Sequence, residues 1–378
     1  MLISIFNDVI GPVMRGPSSS HCAAALRIGR LARDLMGGDI REVLVEYDRH
    51  GSLATTHGSQ GSDMGLFGGL MGGDAADERL PTSTEALRAS GVRVAIEIVD
   101  AGDPHPNTYR LSLANARERH TLHAISTGGG MIEVIAIDGV PISIFGDYYE
   151  TLLWTDGDGQ ALADRLERSI RADAVLVHRA GGSAIVEVKS SAFLDANLTK
   201  ELRAAGLVRD VKLLNPVLPV LSSRSASVPF TTCEEMLRYD AGRNTPLWKL
   251  AIAYEAARGG LSEEEVVARM VEIVRTLRRS IAQGLDGTSY SDRILGYQSG
   301  GYARSLDEGR LLDLGALDRV VLYVAALMEV KSAMGVIVAA PTAGACAALP
   351  GAVIAMAEAM ELGEEDMARG LLAAGLIG

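Results

Sequence analysis

Apolar residues alternate with polar ones, or run together for a few positions, over 43–47, 92–99, 131–137 and 141–145, the pattern of strands. The stretch after Ser20, AAALRIGRLARDL, instead spaces its apolar residues by three and four, as a helix does. Residues 1–149 therefore read as an α/β or α+β domain. The order then becomes strand 152–154, helix 160–170, strand 174–178, strand 184–188, helix 198–205 and strand 208–214. That succession, βαββαβ over 150–222, is the ferredoxin-like split unit. The Pro- and Ser-rich NPVLPVLSSRSASVP (215–229) has the composition of a linker. Beyond it the helical period dominates, so 223–378 reads as an all-α domain, with a capping box at Ser262 and Glu265 and a helix stop at Gly284.

One stretch tests this soluble reading. Residues 332–357, SAMGVIVAAPTAGACAALPGAVIAMA, carry no charge and exceed the roughly 20 residues that span a bilayer. Pro341, Gly344, Pro350 and Gly351 break the run into two shorter segments and a loop, whose backbone lipid would leave unpaired. No membrane partner is expected. The opening MLISIFNDVIGP lacks a basic flank and is interrupted by Asn7 and Asp8, so it reads as a strand or short helix rather than a secretion signal. A formal net charge of -12 excludes a chain-wide nucleic-acid surface. The three cysteines, Cys22, Cys233 and Cys346, are odd in number and far apart, which suits reduced thiols in a cytoplasm.

The chemistry-bearing residues collect in a few segments. Ser18, Ser19, Ser20 and His21 stand at the mouth of the first helix, where free backbone N–H groups and hydroxyls surround an anion well, with Arg27 one to two turns on. The same residues also serve as a cap and loop contacts in many proteins. HGSLATTHGSQGSDMGLFGGLMGG (50–73) brings His50, His57 and Asp63 into a glycine-rich setting that allows close backbone approach to a ligand, without the spacing of a phosphate loop or a zinc-protease helix. DPHPNTYR (103–110) holds His105 between two prolines, which aims its imidazole for acid–base work or simply builds a turn. STGGGMIEV and HRAGGSAIVEV each supply a glycine turn, the second in the ferredoxin-like unit. Cys346 lies in APTAGACAALPG, an uncharged loop where a thiol is either an inert core group or a metal ligand in want of partners.

GPSSSHCAAALRIG, HGSLATTHGSQGSD, HPNTYR, STGGGMIEV and AMGVIVAAPTAGACAALPG occur in the same order as similar segments of the iron-sulfur-dependent L-serine dehydratases, across nearly the whole chain. The resemblance implies a β-type domain fused to an α-type helical domain holding a 4Fe-4S cluster, and conversion of L-serine to pyruvate and ammonia without pyridoxal phosphate. It implies that three cysteines hold the cluster, Cys346 first, leaving one iron to act as Lewis acid on the substrate. Ser18, Ser19, Ser20, His21, Asp63, Asn107 and Thr108 would bind the substrate, and His57 or His105 would remove the α-proton. Residues 150–222, with TDGDGQ opening their first helix, resemble the ACT regulatory domain, which implies an effector and a homodimer.

Two departures from the family pattern stand out. Gln60 replaces the histidine usual before the Gly-Thr-Asp of the second motif, and HCAAAL follows the serines where the family has HTxGP. The two further cluster cysteines are expected outside these 378 residues, in a missing C-terminal segment or a second chain. These departures favour a competing expectation, a homologue that binds an amino acid without chemistry or acts on a related one.

Overall fold

The computed structural model describes residues 2–290 and 295–378. They form two compact units, one of Met1–Ser19, Ala75–Asp77 and Ala226–Gly378, the other of Ser20–Asp74 and Glu78–Ser225.

The second of these is the α+β unit. It contains α1 (Ala24–Leu35), β2 (Glu42–Asp48), α2 (Leu53–Thr56), α3 (Ser62–Leu70), α4 (Ser83–Ala89), β3 (Arg93–Val99), β4 (Thr108–Ala114), β5 (Arg119–Gly128), β6 (Met131–Ile137) and β7 (Val140–Ile144). The strands lie in the order β3-β2-β4-β5-β6-β7, with β2 and β3 parallel and every other pair antiparallel. Alternation along them sends Val43, Val45, Leu111, Leu113, Leu122 and Val134 to one face, where Ala25, Ile28, Leu31 and Leu35 of the amphipathic α1 meet them. Helix α3 packs on α1 so closely that a Cβ on Gly65 would sit 2.1 Å from the Cys22 carbonyl oxygen, and one on Gly69 2.2 Å from that of Leu26. These glycines of the 50–73 segment thus serve helix packing, where close ligand approach was expected.

The chain continues through β8 (Tyr149–Thr155), α5 (Gln160–Ser169), β9 (Ala174–Ala180), β10 (Ser183–Ser190), α6 (Ala196–Ala204) and β11 (Asp210–Leu214). Their antiparallel sheet has the order β11-β8-β10-β9. One face is covered by α5 and α6, through Leu162, Leu166 and Leu202. From the other face Leu152, Trp154, Ile185 and Leu214 join the core of the six-stranded sheet, so 1–149 and 150–222 share one core where two domains were expected. That joint also buries charge. Glu150 and Glu187 are fully buried, Lys189 Nζ lies 3.0 Å from Glu150 and 3.1 Å from Glu187, and His178 Nε2 is 2.7 Å from Glu187. Lys189 also donates to the Ser143 carbonyl at 3.0 Å. Among the described residues Glu150 Oε2 has no hydrogen-bond partner, and Glu187 Oε1 meets the Lys189 ammonium as an ion pair without an aligned hydrogen bond. Burial, and then the charge of Glu187, push the Glu150 carboxyl up to about 8 against the pull of Lys189.

The other unit holds β1 (Val13–Arg15), α7 (Cys233–Asp240), α8 (Leu247–Gly259), α9 (Glu263–Asp286), α10 (Ser299–Asp307), α11 (Ala316–Ser332), β12 (Val336–Val338), α12 (Ala345–Ala359) and α13 (Glu364–Ile377). It is helical apart from β1 and β12, which pair antiparallel. The all-α expectation therefore needs correcting: residues from the start of the chain supply a strand to this unit. Ile5–Val9 form a π-helical turn, tied to α8 by the Ser4 hydroxyl and the Ile5 N–H, both donating to the buried Glu255. Capping boxes open α9 at Ser262, as the sequence indicates, and α7 at Thr232.

Gly284 does not stop α9; it lies within the helix, where a Cβ would come 2.5 Å from the Ala326 carbonyl oxygen. Likewise Pro350 and Gly351 do not break 332–357 but lie inside α12. Pro350 removes one intrahelical N–H near the start of the helix, and Gly351 admits the Val324 backbone of α11. Among the described residues, no helix is long and apolar enough to cross a membrane.

Candidate active site

The sharpest arrangement of functional side chains is in the α+β unit, built from β2 and the loop after it. Strand β2 ends at Asp48, whose carboxylate accepts the N–H groups of His50 and Asp103 and so fixes the start of both loops. The turn between α2 and α3 passes through Gly61 at φ +85°. This left-handed residue lets the Ser62 and Asp63 N–H groups donate back to the His57 carbonyl at 2.9 and 3.3 Å. His57 and Asp63 are thereby brought together: Nδ1 lies 2.6 Å from Asp63 Oδ2. Because a carboxylate only accepts, Nδ1 carries the proton in this contact. Asp63 Oδ1 meets the hydroxyl of the fully buried Tyr47 at 3.3 Å, and the Tyr47 and His57 rings stack at 5.1 Å.

A second chain of contacts runs beside it. Thr56 Oγ1 donates to the Ser52 carbonyl at 2.7 Å, so it accepts from His21 Nε2 at 3.0 Å. His21 Nδ1 is then the acceptor of the Ser20 hydroxyl at 3.2 Å. Burial lowers the His21 pKa, in keeping with this neutral form. The Ser52 hydroxyl bonds Asn107 Oδ1. Arg27 is buried and donates to the Gly130 carbonyl at 2.6 Å, holding the glycine turn of STGGG; it meets backbone where the sequence suggested a free charge.

His21 and Asn107 are thus linked through Thr56 and Ser52, two residues with no prior signal beyond the segment they share, while His57 and Asp63 form a separate pair beside them. His105, half-buried, spends Nδ1 on the Asn107 N–H at 3.2 Å. Thr108 is buried, with its hydroxyl on the His105 carbonyl at 2.7 Å, so it shapes the turn. His50 points to solvent near Asp100. Ser18 and Ser19 are half-buried and count with the helical unit, Ser20 and His21 with the α+β unit. The mouth of α1 also differs from expectation: a π-helical turn, Ser19–Ala23, runs straight into it, and no side chain caps it.

In the helical unit Cys346 is buried in the first turn of α12, its Sγ donating to the Ala343 carbonyl at 3.1 Å. Lys331 donates to the same carbonyl at 2.8 Å. Burial raises the thiol pKa, and the nearby ammonium opposes the rise. Cys22 is buried in the other unit and Cys233 is exposed at the start of α7. Among the described residues, no two further Cys, His, Asp or Glu ligand atoms gather with the Cys346 thiol. Iron-sulfur clusters are held by several thiolates. The donor set in this chain therefore does not fit a cluster by itself.

A half-buried histidine backed by a carboxylate is an arrangement suited to acid–base work. Residues 242–378 match the serine dehydratase alpha chain family. The chain is 39% identical over 145 residues to the probable L-serine dehydratase beta chain of Bacillus subtilis (strain 168), covering 38% of this chain and 64% of that one. To the L-serine dehydratase beta chain of Peptoniphilus asaccharolyticus it is 35% identical over 149 residues, 39% of this chain and 66% of that one. The L-serine dehydratase of Streptomyces coelicolor aligns with all of this chain at 25% identity, over 71% of its own length. The chain is therefore similar to L-serine dehydratases, its residues 242–378 matching their alpha chain family and other segments resembling their beta chains. It spans just under two thirds of the length of the two beta chains it matches.

Proposed function

We propose that the protein is an L-serine ammonia-lyase in which His57 is the base and Asp63 orients it. The observation that carries the reading is the 2.6 Å contact between His57 Nδ1 and Asp63 Oδ2, with about a quarter of the His57 side chain exposed, so that Nε2 would be the nitrogen to meet a substrate Cα–H. Nε2 would take the α-proton, and loss of the β-hydroxyl as water would leave an enamine. Its tautomer, an imine, hydrolyses to pyruvate and ammonia. Ser20, His21 and Asn107 would present hydrogen bonds to the amino acid, with Ser18 and Ser19 on the same loop. In this reading His105 and Thr108 shape the Asn107 turn. The family likeness supports an iron-sulfur cofactor, to which Cys346 would give one thiolate. The remaining ligands would come from a further segment or a second polypeptide, since relatives exist as separate alpha and beta chains. The proton transfer assigned to His57 belongs to the α+β unit, and Cys346 to the helical unit.

The strand order β11-β8-β10-β9 supports a ferredoxin-like module; if it is of the ACT type, it would sense an amino acid in a cytoplasmic homodimer. The single buried cysteine of the helical unit favours one competing reading, an amino-acid binder without chemistry.

The test is anaerobic reconstitution with iron and sulfide, with and without a serine dehydratase alpha chain that supplies the other cysteines. Pyruvate release from L-serine is the readout. Activity that falls at least about a hundredfold in His57→Gln supports the reading, since a positioned base contributes roughly 10²–10⁴. L-serine binding without pyruvate in both preparations would establish the binder instead.

A further inference from the structure

We propose that Tyr47 is a positioning residue for His57, fixing both the plane of the Asp63 carboxylate and the tilt of the imidazole. The inference rests on the reading of His57 as the base. Tyr47 ends the inward-facing row of β2 and is completely buried. Its hydroxyl and the His57 Nδ1 divide the carboxylate between them: Oδ1 faces the phenol at 3.3 Å, Oδ2 the imidazole at 2.6 Å. A carboxylate held at one oxygen still turns about its Cβ–Cγ bond; held at both, its plane is set, and with it the line along which Nδ1–H points. Burial keeps the phenol protonated far above neutral pH, so the hydroxyl can only donate to the charged Asp63.

The ring does a second job. Its centroid is 5.1 Å from that of the imidazole at 30°, so it backs one face of His57 while about a quarter of the side chain stays open. Tyr47 is itself braced edge-on by Tyr109 at 5.7 Å, and the Tyr109 hydroxyl is locked to Ser62 at 3.0 Å. Ser62 directly precedes Asp63, so the same small network steadies the carboxylate from its own backbone. A functional histidine here has a support built on strands β2 and β4 rather than on the loop that carries it.

Two variants separate the contributions. Tyr47→Phe keeps the platform and deletes the O–H; Tyr47→Leu deletes both. In the reconstituted enzyme Tyr47→Phe should lower kcat about three- to tenfold, the rate equivalent of one hydrogen bond, with KM within about twofold. A second readout needs no turnover. The short Nδ1–H···Oδ2 bond should give a downfield imidazole proton in ¹⁵N-histidine-labelled protein, assigned by its absence in His57→Gln. In Tyr47→Phe it should broaden or move upfield through faster solvent exchange. Unchanged kcat and an unchanged resonance, with only the melting temperature altered, would overturn the proposal. If His57→Gln keeps full activity, the base assignment fails, and the resonance still decides whether Tyr47 holds His57. Should Tyr47→Phe not fold, 3-fluorotyrosine at position 47 strengthens the donor without removing an atom and should shift the same resonance; no shift would refute the bond.

Discussion

Replacing Glu150 by glutamine should make the α+β unit more stable at pH 8 and nearly remove its pH dependence between 5 and 8. The carboxyl is buried beside Glu187, and its pKa is raised from 4.5 to about 8, first by burial and then by the Glu187 charge. Between those two values the folded state holds a proton that the unfolded chain has released. Stability from this group is therefore complete below about pH 4.5 and is lost as pH rises through about 8. At about 1.36 kcal/mol per pKa unit the ceiling is roughly 5 kcal/mol. Lys189, 3.0 Å away, stays charged over this range and pulls against the rise, and the two carboxyls titrate as a coupled pair, so a loss on the order of 2–4 kcal/mol between pH 5 and 8 is expected in the wild type. Glu150→Gln carries no charge to bury, and its amide can donate to Glu187 Oε1, which lacks an aligned donor. The chain's two tryptophans make the assay clean, for Trp154 lies in the α+β core and Trp248 in the helical unit. In a Trp248→Phe background, urea unfolding followed by Trp154 emission reports the right unit. A wild-type stability that is flat or rising over this pH range, or an equal slope in Glu150→Gln, would refute the reasoning.

Three further outcomes follow from contacts already described. Gly65→Ala places a methyl 2.1 Å from the Cys22 carbonyl oxygen and should push α3 off α1, lowering stability by about 1–3 kcal/mol and abolishing pyruvate formation through the displaced Asp63, two residues away. Arg27→Leu takes the guanidinium from the Gly130 carbonyl; a loss of about 1–3 kcal/mol and faster amide exchange at Gly129 and Gly130 are expected. Ser262→Ala breaks the capping box of α9 and should lower the stability of the helical unit by about 0.5–2 kcal/mol, read from Trp248 fluorescence.

The strands and helices that period alone indicates are largely those that face one core and one solvent side. The 43–47, 131–137 and 174–178 runs fall within β2, β6 and β9, and the 160–170 helix is α5. What the pattern hides is made by long-range contact or masked by other signals. β4 and β5 begin or end in DPHPNTYR and STGGG, whose prolines, glycines and polar groups look like loop chemistry, although His120, Leu122, Ala124 and Ser126 alternate inward. The pairing of β1 with β12 joins residues over 300 positions apart, which no local period encodes. Pro350, Gly351 and Gly284 look like breaks locally, yet each lies within a helix, the two glycines where another helix presses close. Tertiary packing decides those positions against their propensities.

The site shows the same division between what is local and what is not. His57 and Asp63 stand out as titratable residues in a glycine-rich stretch, but a spacing of six does not by itself bring two side chains together on a helix. Their meeting depends on the left-handed Gly61, which folds the α2–α3 turn back until Ser62 and Asp63 donate to the His57 carbonyl. On the proposed reading, the imidazole of His57, held by Asp63, would take the place of the histidine that Gln60 replaces. Tyr47 carries no sign of its part, since from the pattern alone it is one more inward residue of a strand. Only the register of β2 against β4, which sets Tyr47 against Tyr109 beneath Ser62 and Asp63, turns a core residue into a support for the site. An assay that moves His57 chemistry by changing Tyr47 would therefore test the fold and the site together.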